Sequence, residues 1–348
     1  MARKVRSNAL GLSRNDYRGS KSTLCPGCGH DSISNQIIRI AFELGLEQHK
    51  IVKMSGIGCS SKTPAYFLGR SHAFNAIHGR MPSVVTGATT VNNELVALAV
   101  SGDGDTGSIG LGQFKHLLRR NVPMIYIIEN NGVYGLTKGQ FSATADEGQF
   151  LKYYGGNELP PIDLALEAIV SNCTFVARSF SGDPSQVQAL LKAGIAHKGS
   201  AVLDIVSPCV TFNNAPDSTK SYPYGREHEI PLHEIDLLMP DFVQAREEIF
   251  IDEYEAGEVI EVPMHDGSLI RLKKTDRDYD PRRRVQAINL LEEARVDNLL
   301  LTGLLYYEEP RMTLAESEDL CQQPLTGLPD ALLRPSRAAL DELMQGMM

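Results

Sequence analysis

Gly102-Asp103-Gly104-Asp105, then a helical run, then a strand ending in Asn130-Asn131-Gly132: this stretch decides the fold of the chain. Some two dozen residues separate Gly104 from Asn130. The run 95–100, Leu-Val-Ala-Leu-Ala-Val, reads as a short apolar strand leading into a glycine-rich turn. Leu111, Phe114, Leu117 and Leu118 recur at helical spacing, Asn121 closes that helix, and 122–128 reads as a second buried strand. Together they make a βαβ unit. Both loops therefore lie at the carboxyl ends of parallel strands, where open α/β sheets bind ligands. The residue types suit a metal-bridged diphosphate. Mg2+ is a hard cation that takes oxygen ligands, and Asp103 offers a carboxylate while Asn131 offers an amide oxygen. Gly102 and Gly104 let the backbone approach phosphates closely.

This spacing of GDG and NN looks like the thiamine diphosphate (ThDP) binding motif. A competing pattern overlaps it. Gly102-x-Gly104-x-x-Gly107 is also GxGxxG, and Glu129 lies about where a dinucleotide fold places its ribose-binding acid. Two features count against that reading. Asp103 and Asp105 inside the turn would repel a metal-free pyrophosphate, and Asn130-Asn131-Gly132 after Glu129 has no role in ribose binding.

The chain has 348 residues, 42% of them hydrophobic, and a formal net charge of -9. The acidic balance argues against nucleic acid as a partner, and no apolar run is long enough for a membrane helix. Residues 1–15 are basic but carry no apolar core of a secretory signal, which fits a basic arm. Six cysteines in a chain of this length are not a disulfide scaffold. The expected location is the cytoplasm.

Residues 1–24 read as an N-terminal arm, and 25–215 as one doubly wound, mainly parallel α/β domain. Within it, 32–44 has helical periodicity, 51–54 is a strand, and 84–93 is a helix of small residues. Residues 164–173 form a helix, 175–177 a strand, and Asp183-Pro184 caps a helix running to about 197. Residues 201–206 read as the last strand, entering Pro208-Cys209. Residues 216–348 read as a C-terminal extension. It holds a hairpin over 259–272 around His265-Asp266-Gly267, a charged run over 276–284, and helices near 284–293 and 330–346.

Cys25, Cys28, Cys59 and Cys209 each fall in a loop around the α/β domain. Four thiolates from three loops suit a four-iron, four-sulfur cubane. Structural zinc and unconnected thiols are the alternatives; zinc ribbons pair two CxxC motifs, and this chain has one. Cys173, in an apolar helix, and Cys321, in the tail, read as bystanders.

Six segments occur in a telling order: Cys25-Pro-Gly-Cys28-Gly-His30, Gly56-Ile57-Gly58-Cys59-Ser60-Ser61, His78-Gly79-Arg80, Gly102-Asp103-Gly104-Asp105, Asn130 to Gln140, and Ser207-Pro208-Cys209. Together they closely resemble the β subunit of 2-oxoacid:ferredoxin oxidoreductases, of the 2-oxoglutarate type, over about residues 15–290. The resemblance implies the ThDP-binding fold. It also implies oxidative decarboxylation of 2-oxoglutarate to succinyl-CoA and CO2, or the reverse, with single electrons passing through one cluster to ferredoxin. By matching position, Asp103, Asn131 and the Val133 carbonyl would bind Mg2+, and Cys25, Cys28, Cys59 and Cys209 one [4Fe-4S] cluster. Gly58, Ser60, His78, Gly102, Gly104, Asp105, Gly135 and Leu136 would contact ThDP, with His78 a polar group at the reacting centre. Lys62, close after Cys59, is the expected partner of the distal substrate carboxylate, and Lys138 a second candidate. In the family the carboxylate that activates the aminopyrimidine comes from an α subunit, which implies an obligate interface, expected over 81–91, and an α2β2 assembly. Glu94, the nearest acid in sequence, fits a helix surface better. The alternatives are a pyruvate or broad-range enzyme of the same family, a cluster-free ThDP decarboxylase or carboligase, and an electron-transfer subunit without ThDP.

Overall fold

Eight strands form the main sheet, in the order Glu229–Pro231, Leu300–Tyr307, Phe175–Phe180, Ser200–Val206, Met124–Asn130, Val96–Gly102, Ile51–Ser55 and His72–Asn75. A computed structural model describes residues 7–238, 258–263, 269–274, 279–309 and 311–347. All neighbours pair parallel except Leu300–Tyr307, which runs antiparallel to Phe175–Phe180. Helices Gly29–Glu43 and Pro184–Ala196 cover one face. Met81–Val91, Leu111–Arg119, Leu164–Val170 and Arg284–Val296 cover the other. Burial on both faces explains why the central strands are continuous apolar runs rather than alternating ones. Met124–Asn130 and Ser200–Val206 are buried at every residue. The α/β class and the mainly parallel sheet agree with the reading of the sequence.

Local chemistry sets the element ends. Asp183 caps Pro184–Ala196 by accepting from the backbone N–H groups of Ser185 and Gln186, both at 3.1 Å, with proline at the first helical position. Residues Gly104–Ile109 form one wide π-type turn, closed by Gly110 N–H donating to Asp105 O at 2.9 Å. Such single turns are frequent at functional sites.

The C-terminal part differs from its sequence reading. Leu300–Tyr307 is wholly buried and joins the main sheet, although the sequence reading left it irregular. Gly303 (φ +111°) interrupts the run, and a register shift follows between Leu304 and Tyr306. An interior glycine in a strand marks such a bulge. Val259–Pro263 and Leu269–Lys274 pair antiparallel, with His233–Leu238 alongside. The expected turn His265-Asp266-Gly267 and residues 276–278 of the charged run lie outside the described residues. The single helix expected over 330–346 is two, Asp330–Leu333 and Arg337–Gly346. Pro335 lies between them and disfavours helical geometry at Arg334.

Candidate active site

Val96–Gly102 and Met124–Asn130 are neighbours in register, with Gly102 opposite Glu129. The loops that follow them, and the loop after Ile51–Ser55, meet around one cavity. Gly58, Cys59, Ser60, His78, Gly102, Asp103, Gly104, Asp105, Asn131, Val133, Gly135 and Leu136 all line it. Lys62 and Lys138 do not. Lys62 is half-buried beside Cys59, whose thiol pKa its charge pulls down. Lys138 is exposed, in the left-handed region at φ +77°. Glu94 is exposed at the opposite end of Val96–Gly102, far along the strand from this cavity.

Asp103 is almost fully buried. Its Oδ2 accepts from Gly132 N–H at 3.0 Å, from the Thr144 hydroxyl at 2.6 Å and from the Ser142 hydroxyl. Its Oδ1 has only a long contact from Asn131 N–H, at 3.4 Å. Oδ1 thus has lone-pair capacity left at the cavity wall. Asn131 Oδ1 accepts from Val133 N–H at 3.0 Å, which folds the loop back on itself. Burial raises the Asp103 pKa despite these donors. A cation at Oδ1 would supply the missing positive charge, and the oxygen-only donor set fits Mg2+. Among the described residues no three His, Cys, Asp or Glu side chains converge on one ion. A Mg2+ site built from one carboxylate, one amide and phosphates does not need them to.

Gly104 and Asp105 line the cavity and also bond within the fold. A Cβ on Gly104 would lie 2.5 Å from the Tyr134 ring, whose hydroxyl donates to Gly104 O at 2.8 Å. Gly104 therefore makes room for Tyr134. Asp105 Oδ1 accepts from His78 Nδ1 at 2.6 Å, Gly79 N–H at 3.0 Å and Ile57 N–H at 3.3 Å, and Oδ2 accepts from the Ser101 hydroxyl at 3.0 Å. Both oxygens are spent on tying three loops together. The bond to Asp105 holds a proton on His78 Nδ1 and leaves Nε2 available. Gly56 is fixed by the same carboxylate, since a Cβ there would sit 1.7 Å from Asp105 Oδ2.

The cysteines gather at the cavity's other side. Cys28 N–H donates to Cys25 O at 3.0 Å, closing the CxxC turn, and Gly29 N–H donates to Pro208 O at 3.2 Å, tying that turn to the Cys209 loop. Thr211 Oγ1 lies 3.4 Å from Cys25 Sγ. A Cβ on Gly135 would fall 3.5 Å from Cys59 Sγ and 3.6 Å from Cys209 Sγ. Both sulfurs therefore lie against Gly135. Burial pushes the Cys28 thiol up to about 12, and Glu129, Cys209 and Cys59 add to it. Burial likewise raises Cys59 and Cys209. Sulfurs that gather without converging on one point fit a cubane, in which each thiolate binds its own iron, better than a single tetrahedral zinc. Cys173 is elsewhere, its thiol spent on Phe175 O and Ser200 O in the core, and Cys321 is exposed in the tail.

Two residues of the cavity wall were not singled out as functional from the sequence. Glu129 is fully buried, and neither carboxyl oxygen has a hydrogen-bond partner. Burial lifts its pKa well above the carboxylate range, with the Asp31 charge adding and Thr63 offsetting. The Thr63 hydroxyl is itself spent on Ser60 O at 2.8 Å. His30 Nδ1 lies 3.8 Å from Glu129 but bonds the Ser207 hydroxyl at 2.5 Å. Burial lowers the His30 pKa to about 4, so the two face each other as neutral groups rather than as an ion pair. A polar residue inside an apolar strand was the available signal for Glu129.

Residues 56–205 match the family model of the thiamine pyrophosphate enzyme C-terminal TPP binding domain. A 2-oxoacid:ferredoxin oxidoreductase subunit beta of Sulfolobus sp is 41% identical over 194 residues, which cover 55% of this chain and 63% of the relative. A 2-oxoglutarate synthase subunit KorB of Methanothermobacter thermautotrophicus is 31% identical over 228 residues, covering 64% of this chain and 79% of the relative. The chain spans 51% to 65% of the length of the first curated relatives it matches. A solved structure, the 2-oxoglutarate:ferredoxin oxidoreductase from Magnetococcus marinus with 2-oxoglutarate, coenzyme A and succinyl-CoA bound, is 29% identical. Its TM-score is 0.71, and the match covers 95% of this chain and 100% of that one. With the thiamine pyrophosphate-binding domain in place and relatives of this identity and coverage, the chain belongs to the β-subunit family of the 2-oxoacid:ferredoxin oxidoreductases.

Proposed function

We propose that this chain is the ThDP-binding β subunit of a 2-oxoglutarate:ferredoxin oxidoreductase, working with an α subunit in an α2β2 assembly in the cytoplasm. The observation that carries the proposal is the meeting of two donor sets on one cavity. The oxygen donors Asp103 and Asn131 line it, and Cys59 does too, with Cys209 just behind Gly135. In this reading Asp103 Oδ1, Asn131 and the Val133 carbonyl hold Mg2+, and Cys25, Cys28, Cys59 and Cys209 hold one [4Fe-4S] cluster. Bound there, ThDP would supply carbanion stabilisation and the cluster a one-electron route outward.

The chain's own contribution is position and electrostatics. Gly58, Ser60, Gly102, Gly104, Gly135 and Leu136 form the wall against which ThDP packs. His78 presents Nε2 to the cavity, oriented through Nδ1 by Asp105; it can hold or give a proton at the substrate. Asp105 acts as the brace that keeps His78 and the Ile57 loop in place. We assign the distal carboxylate of 2-oxoglutarate to Lys62, whose ammonium has no ion pair among the described residues, with Lys138 as the second candidate. Residues 25–215 carry all of these groups. Ahead of them Tyr17 packs into the core of the domain, and Glu229–Pro231 and Leu300–Tyr307 close the far edge of the sheet.

The test is 2-oxoglutarate- and coenzyme A-dependent ferredoxin reduction by the chain with its partner, compared with pyruvate, in wild type and Lys62→Met. A charge-assisted hydrogen bond contributes roughly 1.5–3 kcal/mol. The preference for 2-oxoglutarate in kcat/KM should therefore fall by about ten- to a hundredfold. An unchanged ratio removes Lys62 from the role, and a wild type that prefers pyruvate removes the substrate assignment.

A further inference from the structure

The first asparagine of the pair does not line the cavity just described. Asn130 is buried and faces a second pocket, which Thr144, Asp163, Arg178 and Asp204 also line. These five residues are bonded in one line. Arg178 Nη2 donates to Asp163 Oδ1 at 2.5 Å, and Arg178 Nε donates to Asp204 Oδ2 at 3.0 Å. Asn130 Nδ2 donates to Asp204 Oδ1 at 2.9 Å. Asp204 Oδ1 can only accept there, so the Asn130 amide is oriented with Oδ1 toward Thr144. The Thr144 hydroxyl carries one proton and shares it as a three-centre bond, donating to Asp103 Oδ2 at 2.6 Å and to Asn130 Oδ1 at 2.9 Å.

We propose that this chain of bonds, running from Arg178 through Asp204, Asn130 and Thr144, positions Asp103 for the ion. The inference rests on the reading of Asp103 as the Mg2+ ligand. A carboxylate can rotate about its terminal torsion and offer either oxygen to a cation. Thr144, Ser142 and Gly132 all hold Oδ2, and that choice leaves Oδ1 for the ion. Asn130 Oδ1, the second acceptor of the Thr144 proton, fixes the rotation of that hydroxyl, and Asp204 fixes the Asn130 amide. Arg178 fixes Asp204 and is clamped on its other side by Asp163, so the far end of the chain cannot drift. Outer partners of this kind orient metal ligands, and losing one typically costs about 10–100-fold in affinity. Asn130, Thr144, Asp204 and Arg178 are positioning residues here.

Mn2+ standing in for Mg2+ reads the effect directly, by its electron paramagnetic resonance in the purified complex of this chain with its partner and ThDP. Thr144→Val keeps the shape and removes the hydroxyl; Mn2+ should bind about tenfold more weakly, with melting temperature and cluster absorbance unchanged. Thr144→Ser should restore binding. Asp204→Asn touches neither the ion nor its ligands, yet should also weaken Mn2+, and the double variant should lose less than the product of the two single losses. The inference is overturned if Thr144→Val binds Mn2+ as the wild type does, or if the two losses multiply independently. Should Asp204→Asn fail to fold, Thr144→Val and its serine rescue decide alone. Asp103→Ala separates the two layers. If it too leaves Mn2+ affinity unchanged, the assignment of the ion site itself is wrong; if only it weakens binding, the assignment stands and the positioning role does not.

Discussion

On one side of the cavity, Asp103 is buried, one of its oxygens is held by three donors, and a bonded line of side chains stands behind it. On the other side, Cys25 is exposed, the other three cysteines are only partly buried, and few bonds reach their sulfurs. The oxygen side is fixed by side-chain bonds. The sulfur side is held mainly through backbone bonds, Cys28 to Cys25 and Gly29 to Pro208. The contrast follows from the chemistry of the two donor sets. A hard divalent cation rewards a fixed oxygen geometry. Thiols must lose their protons to bind iron, and here burial holds three of them above the ordinary thiol range. Iron bound by these cysteines would therefore couple to proton release.

The largest expected effect is on the oxygen side. Asp103→Ala should lower the affinity for Mg2+ and ThDP by more than the about 100-fold that loss of an outer partner can cost, measured by calorimetry with the partner present. Iron content should be unchanged in that variant; if iron falls with it, the two sides do not load independently. Next comes the sulfur side. Cys209→Ser should remove the brown absorbance and most of the iron while ThDP and Mg2+ still bind. Full iron retention in Cys209→Ser, or iron loss in Cys321→Ser, contradicts the ligand set.

The smallest effect lies between the two sides, at Glu129. Burial raises its pKa well above the ordinary value of 4.5, so the folded protein keeps the proton that the unfolded chain releases near that pH. Its contribution to stability is therefore fully present below pH 4.5 and declines as pH rises toward the folded value. Glu129→Gln cannot ionise. Its melting temperature should match the wild type in acid and exceed it increasingly toward neutrality. An unpartnered buried polar group costs roughly 1–3 kcal/mol, which sets the scale. A constant difference between the two proteins across that range would show that Glu129 does not titrate on unfolding.

How far the sequence could be read depended on whether a feature is local. The βαβ unit, the glycine-rich turn and the Asn130-Asn131 loop were legible because each is written in neighbouring residues. The four cysteine loops were legible as one candidate set, but not how they approach one another, since Cys25 and Cys209 are brought together only by the sheet order. Leu300–Tyr307 was not read as a strand, because its partner Phe175–Phe180 lies more than a hundred residues away and Gly303 breaks its pattern. Asp105 was read as a ThDP contact from its motif, and Asn130 only as the neighbour of a metal ligand. What else their side chains bond, His78 and Gly79 in one case and Asp204 in the other, was not legible. Spacing along a chain reports which loop a residue occupies, and it does not report which way the side chain turns. Glu129 carried the same ambiguity: the end of an apolar strand was plain, while an acid left without a partner is visible only in three dimensions.

The central proposal is that the ThDP site and the cluster lie side by side, with Cys59 on the shared wall, so that electrons would leave the substrate through the group held by Cys25, Cys28, Cys59 and Cys209. Anaerobic visible spectroscopy of the chain purified with its partner tests it most directly. Adding 2-oxoglutarate should bleach the cluster absorbance in the wild type with ThDP and Mg2+ present, and should leave it unbleached in Asp103→Ala, whose cluster is intact. A complex that contains no iron, or one whose absorbance bleaches equally with and without a functional Asp103, would contradict the account.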